Sequence, residues 1–201
     1  MAGLRERKKL ETRAALSWAA LTIAVERGLE NLLVEDIAAR ANVSPRTFNN
    51  YFSSKEEALC AISTDRIAGI VAAFRARPAD EGVWDALSEA MLTPYDVPVD
   101  PDRDFVARSQ LILRHPSLQA ETMRAQLTVQ AALTDEVAAR LNLDPDQDIY
   151  PSLVVGVASA ALHTALRHWA ISPDTRPFLP TLRAALDEVA KGLPEPRRSK
   201  K

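Results

Sequence analysis

Proline constrains this chain first. Pro78, Pro94, Pro98, Pro101, Pro116, Pro145, Pro173 and Pro177 fall between, or at the starts of, stretches whose apolar residues recur every three to four positions. Proline is tolerated in the first turn of a helix and disrupts the interior, so this placement marks helix ends. The stretches themselves are rich in alanine and leucine, with only 6 glycines and 5% aromatic residues, and β-branched runs are rare. An all-α chain is expected. No repeat and no sustained heptad appears, so the helices must pack globularly around a core, which 201 residues are ample to form.

The same reading narrows location and chemistry. The start, MAGLRERKKLETR, lacks the apolar stretch of an export signal, and the longest apolar run, Leu153 to Leu162, falls short of the ~18 residues a spanning helix needs. A cytoplasmic, non-membrane protein is expected, and the single cysteine, Cys60, fits a reducing compartment. There is no G-x-S-x-G elbow, P-loop, H-E-x-x-H or dinucleotide fingerprint, so neither enzyme nor cofactor is expected. His163 and His168 are five apart, about 140° around a helix, and do not form the i, i+4 pair of a helical metal site. No metal is expected.

Helices are expected over 4–27, 35–41, 45–52, 55–74, 83–92, 104–114, 118–141, 150–170 and 180–191. Gly28 should stop the first. In ANVSPRTFNNYF, Asn42 suits the left-handed turn, Ser44 the N-cap, and Pro45 the first helical position. Ser54 and Glu57 have capping-box spacing for the fourth helix. Trp18 should pack against that fourth helix.

Two short helices around a tight turn are the anatomy of a helix-turn-helix DNA reader. The second carries the side chains such a reader needs. Ser44, Thr47, Tyr51 and Lys55 suit phosphate oxygens, which fix orientation; Arg46, Asn49 and Asn50 suit base edges, because Arg can bond guanine O6 and N7 and Asn adenine N6 and N7. Phe48 and Phe52 should be buried. Arg5, Arg7, Lys8, Lys9 and Arg13 on the first helix can flank the reader and add counterion-release affinity. Residues 1–55 hold 9 Lys or Arg and 6 Asp or Glu, net +3, whereas the whole chain is net -2. An acidic body behind a basic N-terminal face fits DNA binding.

Residues 12–59 resemble the TetR family of bacterial transcriptional regulators, through ERG closing the first helix, VEDIAARANVS across the second helix and turn, and TFNNYFSSKEEAL across the reader and the next helix. The resemblance implies that Thr47, Tyr51 and Lys55 hold phosphates while Arg46, Asn49 and Asn50 face the groove. It departs from the family at the turn, where Asn42 replaces glycine, at Leu33, where a capping hydroxyl residue is usual, at Ala24, where an aromatic is usual, and at Asn49 and Asn50, which often are aromatic. Further on, RSQLILRHPSLQAE, LTDEVAARLNLDPDQD and ALHTALRHWA resemble the actinobacterial branch whose C-terminal domains are associated with acyl-CoA-like ligands.

That resemblance implies a homodimer joined by the last two helices and a pocket enclosed by the preceding ones. Gly156 and Ala160 would allow close helix approach, with Leu166, Trp169, Leu182, Leu186 and Val189 as the seam. Phe74, Trp84, Phe105, Met123, Leu127 and His163 would line the pocket, although such a stripe is as readily plain core. Arg108, Arg114, Arg124 and Arg167 are cations within reach of acyl-CoA phosphates, each equally a surface residue. The expected division is a DNA-binding domain 1–55, a ligand-binding and dimerisation domain 56–193, and a basic tail 194–201. The expected function is a repressor released from a palindromic double-stranded operator by a small apolar effector such as an acyl-CoA. A non-acyl hydrophobic effector, an acyl-processing enzyme and a helical protein adaptor are the alternatives.

Overall fold

A computed structural model describes residues 3–96, 103–172 and 177–195. Pro98, Pro101, Pro173 and most of the tail lie outside them, as do the side chains of Leu4, Arg5, Arg103 and Asp104. Among the described residues the regular structure is entirely helical: α1 (Leu4–Arg27), α2 (Val34–Arg40), α3 (Pro45–Asn49), α4 (Lys55–Arg75), α5 (Val83–Leu92), α6 (Arg103–Arg114), α7 (Pro116–Leu141), α8 (Ile149–Ile171) and α9 (Phe178–Ala190). The main departure from expectation is α3, which stops at Asn49 and hands over to a turn before Phe52.

The chain forms two compact units, residues 1–66 with 102–126 and residues 67–101 with 127–201. The first therefore runs past the expected boundary at residue 55 and takes in α6 and the start of α7. In it, α1, α2, α3 and α4 enclose Leu16, Ala20, Ile23, Ile37, Phe48, Phe52 and Leu59, joined by Leu118 from α7. Gly28 stops α1 with φ 85°, a left-handed conformation that side chains with a Cβ rarely adopt. Trp18 lies half-buried beneath the guanidinium of Arg108 on α6, 5.0 Å from its ring centroid, rather than as a simple partner of α4. Arg108 is thus buried at 2% exposure and is no surface cation. Cys60 is a small buried hydrophobe as expected; its thiol donates to the Leu118 carbonyl at 3.8 Å, and burial pushes its pKa up to about 11.

In the second unit α8 and α9 pack against each other and against α5. Phe178 stacks edge-on with Trp169 at 5.5 Å and with Tyr95 at 4.9 Å. Arg140 donates to the carbonyls of Pro78 and Glu81, closing the loop between α4 and α5, while its guanidinium covers Phe74 at 5.4 Å. With 23 residues, α8 is long and apolar enough to cross a membrane by length and composition, more than its longest uninterrupted apolar run suggested. One side of it is nonetheless buried in the unit, through Val155, Ala158, Leu162, Ala165 and Trp169.

Candidate nucleic-acid interface

The reader is built by local chemistry. Asn42 takes φ 55°, the left-handed turn residue expected there. Its neighbour Val43 donates its N–H back to the Ala38 carbonyl at 2.9 Å, closing α2. Ser44 then caps α3: its Oγ accepts from the Thr47 N–H at 3.0 Å, and Pro45 occupies the first turn, where a missing N–H costs nothing. At the other end of the segment Ser54 Oγ accepts the Glu57 N–H at 3.0 Å. The return bond of the capping box reaches Ser53 rather than Ser54, with Glu57 Oε2 accepting from the Ser53 N–H at 2.7 Å. By contrast α2 begins at Leu33 with no side-chain cap, the consequence of a leucine standing at that position. Ion pairs Arg27–Asp36 at 3.3 Å and Arg40–Glu26 at 3.1 Å tie α2 to α1 instead.

Packing then decides which face α3 presents. Phe48 and Phe52 are buried, their ring centroids 5.6 Å apart, so Arg46, Asn49 and Asn50 are turned to solvent on the opposite side. Ser44 is exposed, and Thr47 and Tyr51 are half-buried at the edges of that face. Six of the expected DNA residues are therefore brought onto one short segment. The other two are engaged inside the unit: Lys55 Nζ donates to the carbonyls of Leu29 and Leu32, and Arg13 pairs with Asp65 on α4. Asp65 carried no signal in the sequence, because its partner lies 52 positions away.

The other expected sites are rearranged. Phe105 and Met123 belong to the first unit, whereas Phe74, Trp84, Leu127 and His163 belong to the second. Phe74 is buried and Trp84 half-buried. Phe105 is half-buried and carries the Arg66 guanidinium over its ring at 4.7 Å. Met123 is 47% and Leu127 57% exposed, and His163 is exposed too, so these three face outward from the protomer rather than into a cavity. Arg114, Arg124 and Arg167 are not buried as Arg108 is, and Arg124 lies beside Glu121.

The seam is corrected in the same way. Trp169, Leu182 and Leu186 are buried in the protomer's own core, because α8 and α9 use those faces against each other and α5. Leu166 and Val189 are half-buried. Gly156 and Ala160 do face out, and with Ile149 at 75%, Leu153 at 55% and Ile171 at 70% exposure they leave an apolar stripe along α8. Sequence reasoning missed Ile149, Leu153 and Ile171, although their spacing of three and four with Gly156, Ala160 and Arg167 was available to find them.

Comparison with known proteins converges on this geometry. The family model of bacterial regulatory proteins of the tetR family matches residues 18–62, and that of the MftR C-terminal domain matches residues 81–194, more than half of the chain. The HTH-type transcriptional regulator TcmR of Streptomyces glaucescens is 36% identical over 180 residues, covering 86% of this chain and 79% of TcmR. Among solved structures, the fatty acid degradation regulator FadR of Bacillus halodurans shares the fold with a TM-score of 0.62 at 16% identity, over 90% of this chain and 96% of that one. FadR of Thermus thermophilus, a TetR-family repressor solved with lauroyl-CoA, does so with a TM-score of 0.51 at 19% identity, over 94% and 98%. A capped reader helix with its polar face turned outward, a matching DNA-binding region and a matching C-terminal half together show that the chain belongs to the TetR family of bacterial transcriptional regulators.

Proposed function

We propose that this regulator is a homodimeric repressor which reads a palindromic operator with two copies of α3 and releases it when an acyl-type effector binds. TetR regulators bind operator DNA, act as dimers and are not enzymes. The observation that carries the reading is the outward set Arg46, Asn49 and Asn50, held on a helix whose start is fixed by the Ser44 cap. Arg and Asn there meet guanine and adenine edges in the major groove, while Ser44, Thr47 and Tyr51 bring hydroxyls to phosphate. The outer stripe of α8 supports the dimer: small Gly156 and Ala160 allow two helices to approach closely, flanked by Leu153 and Ile149. Two readers so joined would meet half-sites about 34 to 36 Å apart, or slightly more in a wider dimer.

The effector is a small hydrophobic molecule of the acyl-CoA kind, taken up among apolar side chains of the second unit such as Phe74 and Trp84. The lauroyl-CoA held by the Thermus FadR supports this choice. Binding would favour a spacing of the two readers that no longer fits the operator, by no more than the ligand's differential affinity for the two states. Such a protein works where the chromosome is, in the cytoplasm. Selection of duplexes from a random DNA pool, repeated with lauroyl-CoA, tests the whole. An inverted repeat lost on adding the ligand is the expected result. A repeat indifferent to lauroyl-CoA would point to a non-acyl effector, and no enriched sequence at low salt would overturn the operator-reading assignment.

A further inference from the structure

Arg13 and Lys55 have the charge and position of phosphate contacts, yet both are engaged within the DNA-binding unit. Lys55, the first residue of α4, donates from Nζ to the Leu29 carbonyl at 3.2 Å and the Leu32 carbonyl at 3.0 Å. These carbonyls belong to the 3-10 turn Leu29–Asn31 and the residue after it, the passage from α1 to α2. Arg13 is held more fully. Its Nε and Nη2 each lie 3.2 Å from a different oxygen of Asp65, its Nη1 donates to the Tyr51 carbonyl at 3.4 Å, and its guanidinium covers the Phe52 ring at 4.6 Å. Tyr51 and Phe52 are where the recognition segment ends.

We infer that Arg13 and Lys55 are positioning residues of the reader: they fix the turn before α2 and the turn after α3, and so set the angle at which Arg46, Asn49 and Asn50 enter the groove, without themselves neutralising phosphates. The inference rests on the operator-reading assignment above. Its physical basis is an exchange of partners. For Arg13 to take a phosphate it must leave a two-pronged carboxylate pair, which returns one charge-assisted bond for another and leaves Asp65 as a bare negative charge facing a polyanion. For Lys55 to do so it must leave two half-buried carbonyls without their donor, a cost comparable to what a new bond to phosphate would return. Both cations therefore serve the reader better where they are.

The salt dependence of binding separates positioning from phosphate contact. A lost phosphate contact makes the slope of log K against log salt shallower by about 0.9, whereas a lost brace lowers affinity at all salt concentrations alike. Asp65→Asn is the sharper variant, because the two readings give opposite signs. The measurement is fluorescence anisotropy of the full chain on a duplex selected from the random pool, across a salt series. Asp65→Asn is expected to weaken specific binding about tenfold with an unchanged slope, the size of one lost charge-assisted bond, even though it removes a negative charge. Lys55→Met is expected to behave alike. Tighter binding and a steeper slope for Asp65→Asn, a shallower slope for Lys55→Met, or unchanged affinity in both would overturn the inference while leaving operator reading intact.

Asp65 is 59% exposed, so its amide variant should fold, which thermal unfolding by circular dichroism checks. Arg13→Lys provides a second variant, keeping the charge and losing the fork. It is expected to weaken binding as Asp65→Asn does, and wild-type affinity in Arg13→Lys would contradict the positioning role. Failure of the wild-type chain to bind any duplex at low salt would instead remove the operator-reading assignment, and this inference with it.

Discussion

The reader and the α8–α9 pair are both helical and both present a face to the outside, but they are specified in different ways. In the reader each backbone feature has a cause within four residues: the left-handed Asn42, the Ser44 hydroxyl on the Thr47 N–H, the Ser54 hydroxyl on the Glu57 N–H. In α8 and α9 nothing local decides which apolar face is used. Leu153 and Ile171 point out while Trp169, Leu182 and Leu186 point in, and only the packing of α5, α8 and α9 makes the difference. A capped turn is specified by its own sequence, and a helix apolar on both sides is specified by its neighbours.

The contrast breaks most visibly at Trp169. As a core residue, Trp169→Ala should cost about 3–5 kcal/mol of stability, and by urea unfolding the loss should be the same at low and high protein concentration. A loss confined to low protein concentration would return Trp169 to the seam. Leu153→Arg should do the converse, splitting the dimer while leaving the helical circular dichroism intact. Sedimentation equilibrium checks it, and an undiminished dimer would place the seam elsewhere.

Cys60 sharpens the comparison by pH. Burial raises its pKa from 9.0 to about 11, so between these values the unfolded chain has released a proton that the folded chain retains. Stability should therefore fall as pH rises from about 9 toward 11, and alkylation at pH 8 should be slower than for a free thiol by at least about a hundredfold. Rapid alkylation of the folded protein would contradict a closed core at α4. The smallest effect belongs to the cap: Ser44→Ala should cost about 1 kcal/mol, seen in thermal unfolding.

What was legible in the sequence follows the same division. Most helix limits, the Asn42 turn, the Ser44 cap and the burial of Phe48 and Phe52 were readable, because each depends on spacing along a few residues. The uncapped start of α2 was readable too, from Leu33. The Arg13–Asp65 pair was not, since 52 residues separate its members and neither position has a distinctive neighbourhood. Nor was the burial of Arg108, a charge that sequence reasoning places on a surface and that the aromatic face of Trp18 covers instead. Met123, Leu127 and His163 were assigned to a pocket on residue type alone, and residue type does not say which way a helix is turned.

The central claim is that one solvent-facing edge of a five-residue helix reads sequence for the whole protein. Its most direct test is duplex selection from a random pool by the wild-type chain and by a variant carrying Arg46→Ala, Asn49→Ala and Asn50→Ala. All three side chains are exposed, so both proteins should unfold at closely similar temperatures. The expected result is an inverted repeat from the wild type and no enriched sequence from the variant, with salt-dependent binding to any duplex retained. Recovery of the same repeat by the variant would contradict the claim and move sequence reading away from α3.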